Sequence, residues 1–248
     1  MRAITALGGA DSVSIDPHKM GYVPYSAGAI LVRDARTRYL VASDPPYLSP
    51  TNGDSSGGER FLGRYILEGS KPGAAAAAVW LSHKVLPLDE RGYGYLIERT
   101  MAGARRLHAG LASADLSPFR LVLLPVPDIN IVCYVACHPG IQSLESLNAF
   151  NENVYVRMSL ARSDGAPEYI ITRTRLQSPM YDGAVAPILA NLGVCSADQW
   201  KAAGSHGLVV LRSTVMDPFL ESSPPAPDHV TGYIAALRRA CQATLRAM

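Results

Sequence analysis

The turn Asp16-Pro17-His18-Lys19, set between β-favouring residues 13–15 and the apolar run 27–32, constrains the fold more than any other stretch. Proline fixes its own φ and keeps the preceding residue extended, so Asp16-Pro17 punctuates the backbone and favours a turn here. Residues 13–15 and 29–32 therefore read as two short strands flanking a turn. They form a hairpin-like edge of a larger sheet, with Gly28 allowing close backbone approach at the bend. Asp16 is read as structural, because an Asx-Pro pair favours turn initiation and its side chain can bond the backbone two residues on. Lys19 stands just past the turn, followed by Met20-Gly21-Tyr22-Val23-Pro24-Tyr25. A lysine so placed can carry a cofactor as a Schiff base, the plain alternative being an ordinary exposed turn lysine.

After this hairpin, residues 43–60 (SDPPYLSPTNGDSSGGER) are rich in Pro, Gly, Ser and Asp and read as an exposed loop of lid length. Ser70, ahead of Lys71-Pro72 and the alanine run 74–78, marks a helix start. Leu96, Thr100, Ala104, Leu107 and Leu111 recur at helical spacing with Arg105 and Arg106 opposite, which predicts a long helix linking two domains. Beyond about residue 113 strands and helices alternate. Strands are expected over 119–124, 129–136 and 169–174, and a helix through Leu144, Leu147, Phe150, Val154 and Met158. Ser196 and Gln199 form a capping-box signature for a short helix around Trp200, and a strand follows over 208–211. Past the linker SSPPAPD, the stripe Val230, Ile234, Leu237, Cys241 and Leu245 predicts a final helix. The organisation expected is α/β, with residues 1–112 as part of a larger domain and 113–248 as a small α+β domain.

At 248 residues and 48% hydrophobic content the chain can bury a sizeable core. Its formal charge of +2 and the lack of a basic tract point away from nucleic acid and from an anionic membrane surface, leaving small molecules as the expected substrates. Apolar runs such as 74–81 fall far short of the roughly 20 residues a membrane helix needs, and with no signal-like start a cytoplasmic location is expected. Four cysteines without a Cys-x-x-Cys pair read as reduced, buried thiols. Cys133, Cys137 and His138 supply no fourth ligand, so no metal is expected.

Residues 10–34, ADSVSIDPHKMGYVPYSAGAILVRD, resemble the cofactor-lysine segment of the pyridoxal-phosphate-dependent amino-acid decarboxylases of the aromatic and glutamate group. The nearest resemblance is to the bacterial L-tyrosine decarboxylases. It continues through LGRYILEGSKPGAAAAAVWLSHKVLPLDERGYGYLI and, more loosely, PVPDINIV and LVVLRSTVMDPF. It implies the aspartate-aminotransferase-like fold-type I architecture, here the end of the large domain plus the small domain. The family's lysine lies past the middle of a longer chain, so the resemblance implies the back part of a decarboxylase. A truncated frame, one product of a split gene and a degenerate copy are the forms this could take.

The resemblance also assigns roles. Lys19 is the cofactor lysine, and His18 lies beside the cofactor phosphate. Tyr47 is the loop tyrosine that protonates the substrate carbon after carbon dioxide leaves, and Tyr25 sits near the active site. Ser70 and Lys71, at the expected helix start, are placed to contact phosphate. Ser213 and Thr214 follow Arg212 in the block that meets the aromatic substrate. Each has a plain structural alternative: turn cap, loop plug, core tyrosine, helix cap or strand end. Three functions compete. They are a tyrosine-preferring decarboxylase acting as a homodimer or with a separately encoded front half, a non-catalytic remnant or partner subunit, and a related lyase acting on aspartate or glutamate.

Overall fold

Strands β1 (Ser12–Ile15) and β2 (Ala29–Val32) pair antiparallel, Ser12 opposite Val32 and Ile15 opposite Ala29, and the lysine turn lies between them. This is a computed structural model, and it describes residues 2–43, 62–161, 165–194, 199–200, 207–220 and 228–248. The chain divides into two compact units, Met1–Tyr95 and Leu96–Met248.

The first unit also holds the short helix α1 (Arg2–Ala6), 3-10 turns at Leu7–Gly9, Ala35–Val41 and Leu62–Tyr65, and helix α2 (Ala74–Val85). Asp34 caps the second of these turns by accepting from the Arg36 amide. Helix α2 begins at Ala74 with Gly73 as its N-cap, not at Ser70. Pro72 accounts for the difference, because it holds Lys71 extended and delays the helix. No residue of α2 is buried. Of the described hydrophobic residues in this unit only Val23, Ala27 and Tyr93 are.

Helix α3 (Tyr93–Ser113) runs across the division between the units. Thr100, Ala104, Leu107 and Leu111 are buried along it and Arg105 and Arg106 exposed, as their spacing predicts. The second unit is built on a four-stranded antiparallel sheet in the order β3-β4-β6-β5, from β3 (Arg120–Leu123), β4 (Ile131–Cys137), β5 (Thr172–Leu176) and β6 (Leu208–Thr214). Helix α4 (Leu144–Arg157) packs on β4, β6 and the last helix, α6 (His229–Ala247). Helix α5 (Asp182–Leu192) packs against β3. Leu147, Phe150, Val154, Val132, Val135, Leu211 and Leu237 are fully buried at the centre.

The β4–β6 ladder runs only from Ile131–Thr214 to Tyr134–Leu211. Continued in register, Ala136 would face Val209, but two asparagines of α4 take those places. Asn151 accepts from the Ala136 amide (2.9 Å) and donates to the Ala136 carbonyl (2.9 Å). Asn148 accepts from the Val209 amide and donates to the Gly207 carbonyl, both at 2.8 Å. A carboxamide carries the same donor and acceptor as a peptide group, so both strands stay satisfied where they part.

Three elements differ from expectation. Strand β5 starts at Thr172 rather than near 169, because Ile171 gives its amide to Met158 instead of the ladder. Helix α5, with Pro187 inside it, is absent from the sequence reading. At Gly28 nothing lies within 4 Å of the place a Cβ would occupy, so the bend does not need a glycine. The expected lid loop, the Ser196 cap and most of the 222–228 linker lie outside the described residues.

Candidate active site

Pro17 and Asp16 set the turn that presents Lys19. The Lys19 amide donates to Asp16 O (3.0 Å), the Tyr22 amide to Lys19 O (3.1 Å) and the Val23 amide to Pro17 O (3.2 Å), winding residues 16–23 into a tight coil. Gly21 is required there, since a Cβ would stand 2.6 Å from Pro17 O. Tyr22 takes φ 54°, the left-handed conformation that closes the coil. Tyr93 buttresses it by donating to Gly21 O (2.9 Å), while its own hydroxyl meets Ser82 Oγ at 2.5 Å.

The Lys19 side chain is 63% exposed, and its Nζ meets Asp16 Oδ2 at 2.7 Å. That hydrogen bond, with the lysine's charge, holds the Asp16 carboxyl below its ordinary value, so Asp16 stays ionised. Beside it, His18 Nδ1 donates to the Ala27 carbonyl at 2.5 Å, which leaves Nε2 as the ring's outward nitrogen. The Tyr25 ring lies against the imidazole with centroids 4.3 Å apart and planes tilted by 30°, and it is 82% exposed. A fixed primary amine, an oriented imidazole and an open aromatic face are thus gathered on one turn.

The remaining predicted residues are placed as follows. Tyr47 lies outside the described residues. Ser70 is exposed and gives its amide to the Glu68 carbonyl (2.7 Å), and Lys71 pairs with Glu68 at 3.7 Å. Neither caps a helix. Ser213 belongs to the second unit and is buried, its Oγ 2.5 Å from the Tyr233 hydroxyl. Tyr233 in turn bonds the Tyr134 hydroxyl, giving a buried chain of three hydroxyls. Burial pushes the Tyr233 phenol up to about 12 and Tyr134 also upward, so both remain protonated. Ser213, Thr214, Tyr169 and Tyr233 border a cavity of about 190 Å³ whose other walls include Leu107 and Val230.

Tyr93, Tyr134 and Tyr233 were missed by sequence reasoning. Their hydroxyls act over separations such as 72 and 99 residues, and no local pattern signals that. Among the described residues no group of three or more His, Cys, Asp and Glu could hold a metal, and no helix is long and apolar enough to cross a membrane. Cys133, Cys137 and Cys241 are unbridged thiols.

A family model described as tyrosine decarboxylase, C-terminal, matches residues 113–245. The chain is 34% identical over 248 residues to an L-tyrosine decarboxylase of Levilactobacillus brevis, covering 98% of this chain and 38% of that protein. It is 37% identical over 234 residues to that of Enterococcus faecalis, covering 92% and 37%. An L-aspartate decarboxylase of Thermococcus kodakarensis is 33% identical over 141 residues, covering 57% of this chain and 32% of its own. Among solved structures, mouse CSAD aligns with a TM-score of 0.58 at 16% identity over 96% of this chain and 41% of its own. Oryza sativa TDC with PLP and tryptamine aligns at 0.56 and 15%, over 97% and 40%. The chain therefore spans about two fifths of the length of the relatives it matches, and it has the fold of their C-terminal part.

Proposed function

This chain belongs to the tyrosine decarboxylase family, and on that premise we propose that it serves the pyridoxal-phosphate-dependent decarboxylation of an aromatic L-amino acid, tyrosine preferred, in the cytoplasm. The observation that carries the reading is the exposed Lys19 amine, steered by an ionised Asp16 and flanked by His18 on a turn that Tyr93 holds in place.

The donor set suits the aldehyde end of the cofactor. A primary amine on a rigid backbone is the group that such an aldehyde requires, and His18 Nε2 is the neighbouring nitrogen suited to a phosphate or ring substituent. Lys19 and His18 would hold the cofactor, which supplies an electron sink for the bond broken at Cα. Asp16 directs the Lys19 amine and, remaining ionised, is not the proton donor. Tyr25 lies against the imidazole at a 30° tilt and is proposed to offer its other face to the substrate. Tyr47 is the proposed proton donor to the substrate carbon, a phenol suited to the task once water is excluded. Ser70 is proposed to contact the cofactor phosphate, and Ser213 the substrate ring.

The apolar surface left open on the first unit supports a second part of the proposal. The chain works as a homodimer, or with a polypeptide that supplies the rest of the large domain. The test is to combine it with a polypeptide carrying the portion of the relatives it does not span and to measure amine release from tyrosine, aspartate and glutamate. Tyramine is the expected product, and the absence of any amine product with every partner and amino acid would refute catalysis. The aspartate-decarboxylase relative favours a second reading, in which aspartate is the substrate. β-Alanine formed in preference to tyramine would select it.

A further inference from the structure

The coil that presents Lys19 contains a residue in a conformation its side chain disfavours. Tyr22 stands at φ 54°, where a Cβ crowds the backbone. Turning over the Gly21–Tyr22 peptide, about ψ of Gly21 and φ of Tyr22, would return Tyr22 to negative φ and relieve that cost. The coil therefore persists only if both ends of this peptide are held. Its N–H, on Tyr22, donates to Lys19 O at 3.1 Å, and its C=O, on Gly21, accepts from the Tyr93 hydroxyl at 2.9 Å. The other amides of the coil use Asp16 O and Pro17 O, which leaves Gly21 O to Tyr93.

A carbonyl can only accept, so Tyr93 spends its single O–H on Gly21. The contact of its oxygen with Ser82 Oγ at 2.5 Å is then a bond in which the serine donates. The outcome is a directed chain. It runs from the Ser82 hydroxyl on α2 to the Tyr93 hydroxyl, through the Gly21–Tyr22 peptide, to the carbonyl of Lys19 itself, each link polarising the next.

Tyr93 is itself held firmly. Its amide donates to Pro87 O at 3.0 Å, and Asp89 closes the preceding turn by accepting from the Arg91 and Gly92 amides at 2.9 and 3.1 Å. The His83 ring meets the Tyr93 ring edge-on, with centroids 5.5 Å apart, and the side chain is buried. Phenylalanine would fill the same space, so the part of Tyr93 that acts on the coil is its hydroxyl.

We propose that Tyr93 and Ser82 are positioning residues for Lys19, their hydroxyls locking the Gly21–Tyr22 peptide and with it the coil that aims the lysine amine. The functional half of this rests on the reading of Lys19 as the cofactor lysine. Amide exchange of the full chain, followed by NMR, needs no cofactor. In Tyr93→Phe the Tyr22 amide should exchange about tenfold faster or more, the effect of losing one buried hydrogen bond, while the Leu86 amide, bonded to Ser82 O, keeps its protection. Ser82→Ala should have a smaller effect alone and none when added to Tyr93→Phe, because the serine acts through the tyrosine. Glycine adopts positive φ without steric cost, so Tyr22→Gly should recover most of the protection lost in Tyr93→Phe, which it would not do for a packing defect. Pyridoxyl labelling of Lys19, by pyridoxal phosphate and borohydride with the polypeptide that carries the portion of the relatives this chain does not span, should slow in Tyr93→Phe by a similar factor and recover with Tyr22→Gly. Unchanged Tyr22 exchange, no recovery with glycine, or equal labelling of the unaltered and Tyr93→Phe chains would each overturn the proposal. Lys19 left unlabelled in the unaltered chain would overturn the decarboxylase reading with it.

Discussion

Asn151 accepts from one amide and donates to the carbonyls of Ala136 and Leu147, so replacing it with leucine removes three buried hydrogen bonds and strands the Ala136 peptide group in the core. The expected cost is roughly 2–4 kcal/mol, read from the midpoint of urea denaturation with the slope unchanged. Tyr233 and Cys241 make a second residue-scale prediction. Burial raises the phenol from 10.0 and the thiol from 9.0, each to about 12. Groups raised in the folded state contribute fully below their ordinary values, and that contribution is lost as pH rises from there toward about 12. Stability should therefore fall over that alkaline window, and tyrosinate absorbance from Tyr233 should appear only with unfolding. Early ionisation in a still-folded chain would contradict the buried hydroxyl chain. At this scale the gathering of Lys19, His18 and Tyr25 on one turn was legible because they share one short block. The roles of Asn148, Asn151 and Tyr233 were not, since a polar residue on a helix face reads as solvated until the strand facing it is known.

Helix α4 shows how much of an element a pattern fixes. Its apolar residues recur at helical spacing, and Ser143 and Ser146 close a reciprocal capping box at its start. Ser143→Ala should cost about 1 kcal/mol, measurable by thermal denaturation, and Ser143→Asp much less. Helices α3 and α6 were readable for the same reason, their periods being uninterrupted, and the β1–β2 pair from the proline turn between two runs of β-favouring residues. Helix α5 was not, because Pro187 reads as a breaker even though Val185, Ile188, Leu189 and Leu192 are buried at helical spacing and Gly193 ends the helix at φ 66°. That spacing and the closing glycine were the signal to follow. Ser70 misled in the opposite sense. A serine ahead of a proline and an alanine run looks like a cap, yet the helix waits for Ala74.

The two units differ most in what they bury. The second closes a continuous core from its sheet, α3, α4, α5 and α6. In the first, Ile30 and Leu31 of β2 and Trp80, Leu81 and Val85 of α2 are exposed. A two-stranded sheet with an apolar face is marginal by itself and prone to pair with another chain. Limited proteolysis should degrade residues 1–95 first and leave a resistant fragment over 96–248. Adding a polypeptide that carries the portion of the relatives this chain does not span should protect the first unit and suppress binding of an apolar dye. Equal resistance of both units without a partner would contradict this picture. Lys19 is the proposed cofactor lysine, and borohydride reduction of the chain with pyridoxal phosphate and that partner polypeptide, followed by peptide mass mapping, decides whether it captures the cofactor. A pyridoxyl label on Lys19, absent from Lys19→Ala, is the result predicted, whereas labelling confined to other lysines, or none, would contradict it.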